Sequence, residues 1–204
     1  FGVVATLPDG APTTTVQDAV RRCRWIAVDL SADSFSLLHV GRSLESGRFV
    51  PCFDSDYPAT SSATRRLVDG ARDEFAKHVA RSSVPRWWTS DPDTAAATML
   101  RGVPHIEAMN PPTPGQTALA FPVHAERGQC GLVLFLGDAM QMAPGDLFDF
   151  HARCYALFEA VAPHLRCMGS DVVHCGGVGA GQVVKIMNNM VLLPTVQALA
   201  EAMA

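Results

Sequence analysis

The sequence predicts an α+β fold: an antiparallel sheet flanked by helices, an α-β-α sandwich, followed by a short strand and a long C-terminal helix. Three observations lead there. Two strongly apolar segments, ALAFPVH from Ala118 and GLVLFLG from Gly131, are joined by the polar run AERGQC and read as a β-hairpin. Other stretches repeat apolar residues every three or four positions, the spacing of one helix face. Finally, the residues up to about 157 lack the strand-helix-strand alternation that builds a parallel sheet.

Taken in order, FGVVATLPDGAPTT suits a tail or loop, and a short helix is expected over Val16 to Cys23. WIAVDL and FSLLHVGR are rich in β-branched and aromatic residues, and the turn cluster SADS between them predicts a first hairpin. A loop is expected from Pro51 to Pro58. Ala63, Leu67, Ala71, Phe75 and Val79 then recur every fourth position, which predicts one helix from Ser61 to Ala80 lying on a sheet. SSVPRWWTSDPDT reads as a loop, TAAATML as a short helix, and PPTPG as a break before the second hairpin. Leu147, Phe150, Cys154, Leu157, Phe158 and Val161 predict a helix from Asp146, its N-cap, to Ala162, with Pro163 ending it. Beyond lie a strand-and-glycine unit, DVVHCGG, and a glycine-led helix that Pro194 should kink. The expected division is an α+β domain over residues 1–163 and a separate segment over 164–204.

Composition excludes several functions. With 204 residues, 48% apolar and 18% charged, the chain has the balance of a soluble globular protein. No apolar run approaches the roughly 18 to 20 residues of a membrane span. Sixteen basic against twenty acidic residues leave a net charge of −4, so no basic field is available for nucleic acid or an anionic membrane. Six cysteines stand singly, without a CxxC pair or a secretory leader, which fits a reduced cytoplasmic setting rather than a disulfide scaffold or a zinc site. The seven histidines are dispersed as well, so no metal site is expected. The chain starts at Phe1 rather than Met and stops within the helical run VQALAEAMA, which reads as a fragment or a frame cut at both ends.

One passage looks like a chemical site: HCGGVGAGQVVKIMNNM. Gly176, Gly177, Gly179 and Gly181 permit left-handed backbone and close approach, and the N-terminus of the following helix favours an anion. Lys185 lies three residues before Asn188 and four before Asn189, so an ammonium and a carboxamide share one side of that helix. Val183, Val184, Ile186 and Met187 would desolvate the lysine, lowering its pKa and suiting it to proton transfer. The plain alternative is a tight glycine turn before a core helix whose lysine snorkels to water. The glycine spacing misses GxGxxG by one position, so a complete dinucleotide fingerprint is absent.

The stretch from about Phe158 to Ala204 closely resembles the β-hydroxyacid dehydrogenase family, of which 3-hydroxyisobutyrate dehydrogenase is typical. The resemblance rests on CMGSDVVHCG and on G-x-G-x-x-x-K with Asn four residues later. It implies the junction between an NAD(P)-binding domain and a helical C-terminal domain. It also implies Lys185 as general acid/base, Asn189 as a substrate-holding residue with Asn188, Gly179 and Gly181 beside it, and NAD or NADP as cofactor of the complete enzyme. The chain alone is expected to hold no cofactor and to be inactive, because the family's nucleotide-binding half does not precede this segment.

The front part resembles, more faintly, the ligand-sensing domain of LuxR-type autoinducer-binding regulators. FDSDYPATSSATRRL, DEFAKHVARSSVPRWWTSD and PGQTALAFPVHAERGQCGLVLFLGD carry that likeness. It implies a pocket for a small-molecule ligand of the acyl-homoserine lactone type, with Tyr57 in a Tyr-Pro pair, Asp73 accepting a hydrogen bond from a ligand amide, and Trp88 packing on the ligand. Ser61 and Arg65 depart from the pattern, standing where that family usually has a tryptophan and a tyrosine. The plain alternative makes Trp87 and Trp88 core or loop aromatics and Asp73 a capping or solvated residue. A homo-oligomer is compatible with either resemblance. No helix-turn-helix is evident.

Overall fold

The computed structural model describes residues 15–41, 48–71, 73–125 and 129–167, together with Met190, Thr195 and Glu201. By its backbone contacts the chain divides into two units, Phe1–Val172 and Val173–Ala204. The first unit is a six-stranded mixed sheet covered by helices on both faces, so the α+β sandwich is present. In the second, Met190, Thr195 and Glu201 are helical. The short strand around DVVHCGG and the kink at Pro194 lie outside the described residues.

The chain opens with α1 (Val16–Asp29), capped by the Thr15 side chain, which accepts the Asp18 N–H. This single helix replaces the expected short helix plus the strand WIAVDL. Ala19, Val20, Cys23, Ile26, Ala27 and Leu30 are all buried at helical spacing. Strand preference within a host spans only about 1 kcal/mol, whereas burying one Ile or Leu is worth about 1.5 to 3 kcal/mol. The buried stripe therefore decides the outcome.

The first hairpin consequently forms one element later. Strand β1 (Ser34–Gly41) pairs antiparallel with β2 (Arg48–Asp54), so the expected loop at Pro51 is largely an edge strand. Pro51 is tolerated there, beside a register shift between Leu37 and Leu38, because an edge strand needs fewer donors. The expected helix over 61–80 is two helices, α2 (Ser62–Gly70) and α3 (Asp73–Val79), with Ala71 extended between them. A β-carbon at Gly70 would lie 2.5 Å from Thr113 Cγ2, so a larger residue at this end of α2 would have to displace the 111–115 loop that passes there.

Next comes β3 (Arg86–Trp88) inside the expected tryptophan loop, then α4 (Ala95–Arg101), as the TAAATML pattern predicted, and β4 (Glu107–Ala108). Strands β5 (Ala118–Ala125) and β6 (Gln129–Leu136) form the expected second hairpin. A 3-10 turn over Pro144–Asp146 leads into α5 (Leu147–Cys167). Asp146 thus lies in that turn rather than capping a helix from outside, and α5 passes through Pro163 instead of ending there. Val161 and Ala162 are buried just before the proline, and their packing carries the helix past one missing donor.

The strand order is β2-β1-β6-β5-β3-β4, antiparallel except for β3 beside β4. Alternation along the strands sorts the core into two faces. Phe35, Leu37, Leu119, Phe121, Val123, Val133 and Phe135 meet α1, α4 and α5 on the first. Leu38, Val40, Ala118, Ala120, Leu132 and Leu134 meet α2 and α3 on the second.

Gly131 on β6 marks the tightest packing. A β-carbon there would sit 2.6 Å from both Leu38 O and Phe158 Cε2, one of them a backbone atom of the neighbouring strand. Gly131→Ala should destabilise the fold by about 1 to 3 kcal/mol, the usual cost of overpacking. Urea unfolding followed by far-ultraviolet circular dichroism checks this, and an unchanged midpoint would contradict the packing described.

Candidate functional site

On the second face, Trp88 pairs with Ala118 across β3 and β5 and is 3% exposed. Its ring meets Phe75 edge-on at 5.7 Å between centroids, and Phe75 lies 5.3 Å from Phe49. Because α3 begins at Asp73, two residues before Phe75, the sequence-predicted aspartate and tryptophan belong to neighbouring elements of one face. Small Ala118 and Ala120 on β5 make room for the tryptophan on that face.

Tyr57 goes elsewhere. Its half-buried ring packs against the first core face, so it is not in the same apolar cluster as Trp88. The turn before it is built by buried Asp54, whose carboxylate accepts the N–H groups of Asp56 and Ser61 at 2.9 and 2.8 Å. The Tyr57-Pro58 peptide is cis. Ser61 caps α2 by accepting the Thr64 N–H, and Arg65 donates to Thr60 O. These two residues brace the loop, at positions where the autoinducer-binding pattern has aromatic rings. Lys185, Asn188, Asn189, Gly179 and Gly181 lie outside the described residues.

A second constellation was not anticipated from the sequence. His124 Nε2 lies 2.9 Å from Val79 O at the end of α3, and its Nδ1 lies 3.2 Å from Tyr155 Oη on α5. A carbonyl only accepts, so Nε2 carries the proton and Nδ1 of the neutral ring accepts from the tyrosine hydroxyl. His151, one helical turn before Tyr155, donates from Nε2 to Pro122 O at 2.8 Å, and the two rings lie 5.0 Å apart. Burial lowers the His151 pKa, with His124 adding to the effect, against the raising influence of the Pro122 bond. Burial, followed by the charge of Glu159, raises that of Tyr155. The i, i+4 pair His151 and Tyr155 was the available sequence signal. Its partners on β5 and α3 come from far along the chain.

Other chemistries are limited among the described residues. No group of three potential metal ligands occurs there. Burial pushes the Cys23 and Cys154 thiols well above their usual range and Cys52 up to about 12, which makes all three poor nucleophiles. No described helix is long and apolar enough to cross a membrane. The described unit does not fit a nicotinamide dinucleotide either. Such a cofactor rests its pyrophosphate on a glycine turn between a parallel strand and a helix. The one parallel pair, β3 and β4, is bridged by α4, and the turn entering α4 is Thr89-Ser90-Asp91-Pro92-Asp93-Thr94, with no glycine and two carboxylates.

Comparison with known proteins gives short, partial matches. No protein-family profile matches. Over 46 residues, 22% of this chain, it is 50% identical to a probable mitochondrial 3-hydroxyisobutyrate dehydrogenase of Dictyostelium discoideum and 54% identical to the human mitochondrial enzyme. Over 48 residues it is 46% identical to 2-(hydroxymethyl)glutarate dehydrogenase of Eubacterium barkeri. The chain spans only 14 to 16% of the length of these relatives. A solved structure of SdiA in complex with octanoyl-rac-glycerol aligns over 80% of this chain and 65% of its own, at 11% identity and a TM-score of 0.39. The resemblance to 3-hydroxyisobutyrate dehydrogenases is therefore present over a short segment.

The histidine geometry sets a pH dependence. His78 Nε2 accepts from Arg86 Nε at 2.8 Å, and burial, then the Arg86 charge, lower its pKa against the opposite pull of Glu107. Both His78 and His151 therefore titrate lower in the folded chain than in the unfolded one. The stability they contribute is whole above the unfolded histidine range, near about pH 6.5, and is lost as pH falls through their folded pKa values. Thermal midpoints should fall between pH 7 and pH 5, and the double variant His78→Gln/His151→Gln should flatten that slope. An equally steep slope in the variant would rule these histidines out as its source.

Proposed function

We propose that the chain carries the lysine-bearing segment of an NAD(P)-dependent β-hydroxyacid dehydrogenase of the 3-hydroxyisobutyrate type, joined to an unrelated α+β domain, and that it turns over no hydroxy acid by itself. The observation that carries this reading is the identity of about one residue in two over 46 residues with enzymes of that activity. The domain is taken as residues 1–163 and the segment as 164–204. In this reading Lys185 gives and takes the substrate hydroxyl proton, Asn189 and Asn188 hold the substrate by their carboxamides, and Gly179 and Gly181 let it approach the backbone. NAD or NADP would supply the hydride acceptor in a complete enzyme. The acidic, glycine-free turn before α4 supports the view that the described domain does not supply its seat. Cys23, Cys52 and Cys154, none of them disulfide-bonded, are consistent with a reduced, cytoplasmic compartment.

A second reading, a small-molecule sensor domain, is favoured by one observation: α3, which starts at Asp73, packs its Phe75 on Trp88. That reading needs a ligand between α3 and the sheet, where Phe49, Phe75, Val79 and Leu132 are already buried together. The dehydrogenase-segment reading therefore has the stronger support.

Two measurements separate the readings. The purified chain should neither quench nor shift NAD(P)H fluorescence and should show no NAD(P)-dependent oxidation of 3-hydroxyisobutyrate. Oxidation abolished by Lys185→Ala would overturn the inactivity while keeping the lysine's role, and oxidation untouched by that change would overturn the role. For the sensor, acyl-homoserine lactones should leave the thermal midpoint unchanged. A saturable rise lost in Asp73→Ala would favour the second reading instead.

A further inference from the structure

On the first face, away from Trp88, an open cavity of about 390 Å³ lies between the C-terminal end of α1, the start of α4 and the start of α5. That volume sits at the small end of the roughly 300 to 1,000 Å³ of ligand pockets. Ala95, Met99, Met140, Met142 and Phe150 supply the apolar part of its lining, and Asp29, Gln141 and Asp146 the polar part. Backbone bonds fix the frame: Gln141 N–H donates to Leu30 O at 2.9 Å, and Ala96 N–H to Asp138 O at 3.0 Å. The wall segment is thereby tied to the end of α1, and α4 to the end of β6.

The charge on this cavity is one-sided. Asp29 is paired with Arg153 at 2.8 Å, and the Arg153 guanidinium lies 5.5 Å over the Phe150 ring, so this acid and this base offset each other. The Asp146 carboxylate has no partner among the described residues and is exposed at the rim. Asp149 stands one turn further along α5, also exposed. The α1 helix, whose last turn holds no basic residue, ends at the cavity with its negative pole. The opposing positive pole of α4 is reduced, because Thr94 Oγ1 takes the Ala97 N–H and Asp138 O the Ala96 N–H.

We propose that this cavity binds a small organic cation: an ammonium group carried on an apolar body, the body against the methionines and Phe150 and the charge at Asp146. Apolar surface alone would accept an uncharged molecule equally well, and the unbalanced carboxylate selects the cation. This site shares no residue with the Lys185 segment or with Asp73 and Trp88, so it stands or falls independently of both readings above.

The test uses the full chain with methyl-labelled methionine and hexyltrimethylammonium as probe, with hexanol and hexanoate as neutral and anionic comparators. Saturable shifts are expected at the methyl groups of Met99 and Met142, with hexanol weaker by about fivefold and hexanoate weaker still. Asp146→Asn should weaken the cation by about fivefold, the size of one exposed charge pair, while leaving the circular dichroism unchanged. Ala95→Trp, placed at an exposed wall position so that the core is untouched, should abolish the shifts. Absence of saturation, equal binding of hexanoate, or shifts indifferent to both variants would each overturn the proposal.

Discussion

Everything in the described unit depends on β6 being buried on both faces and both edges. It lies between β1 and β5, and Leu132, Val133, Leu134 and Phe135 are at most 1% exposed. A strand in that position cannot present a polar side to water, so each face must be covered by a helical layer. Helix α5 covers one face, bringing Phe158 down on Gly131, and α2 with α3 covers the other. The absence of a side chain at Gly131 lets the helix ring and the neighbouring strand approach the same point. Short strands and turns elsewhere are arranged around that contact.

This burial explains what could be read in advance. The β5–β6 hairpin and the apolar stripe of α5 were legible because full burial writes itself as an apolar run or a clean helical repeat. WIAVDL was misread because its residues suit either state, and only the neighbours that bury Ile26 and Leu30 decide between them. Strand β3 has three residues, too few for any period to show, and it exists because Trp87 and Trp88 must point to opposite faces of the sheet. The break between α2 and α3 falls where a loop some forty residues later passes close to Gly70, a contact no local spacing can show. The candidate site follows the same rule. Asp73 starts α3 and Trp88 ends β3, whereas Tyr57 faces the other core, and the His124, Tyr155 and His151 bonds join partners too distant in sequence to show as a motif.

The described unit and the Lys185 segment differ in sequence character. The described unit is dominated by hairpins, and its one parallel crossover enters its helix through Asp91 and Asp93, chemistry that repels phosphate. The segment bearing Lys185 differs in sequence, with four glycines between Gly176 and Gly181 and a lone lysine after them. Over 46 residues the chain is 50 to 54% identical to 3-hydroxyisobutyrate dehydrogenases, a share of only 22% of its length.

The uneven pairing of β5 has a consequence for association. Strand β3 covers only Ala118 to Ala120, so β5 runs on for five residues with no strand partner on one side among the described residues. An open rung of that kind is where a foreign strand can add itself. Here Pro122 offers no N–H, its carbonyl is taken by His151, and the next side chain on that side, His124, is held between α3 and α5. The half-buried imidazoles thus act as stoppers, closing the sheet without a further strand and guarding its margin against intermolecular β-pairing.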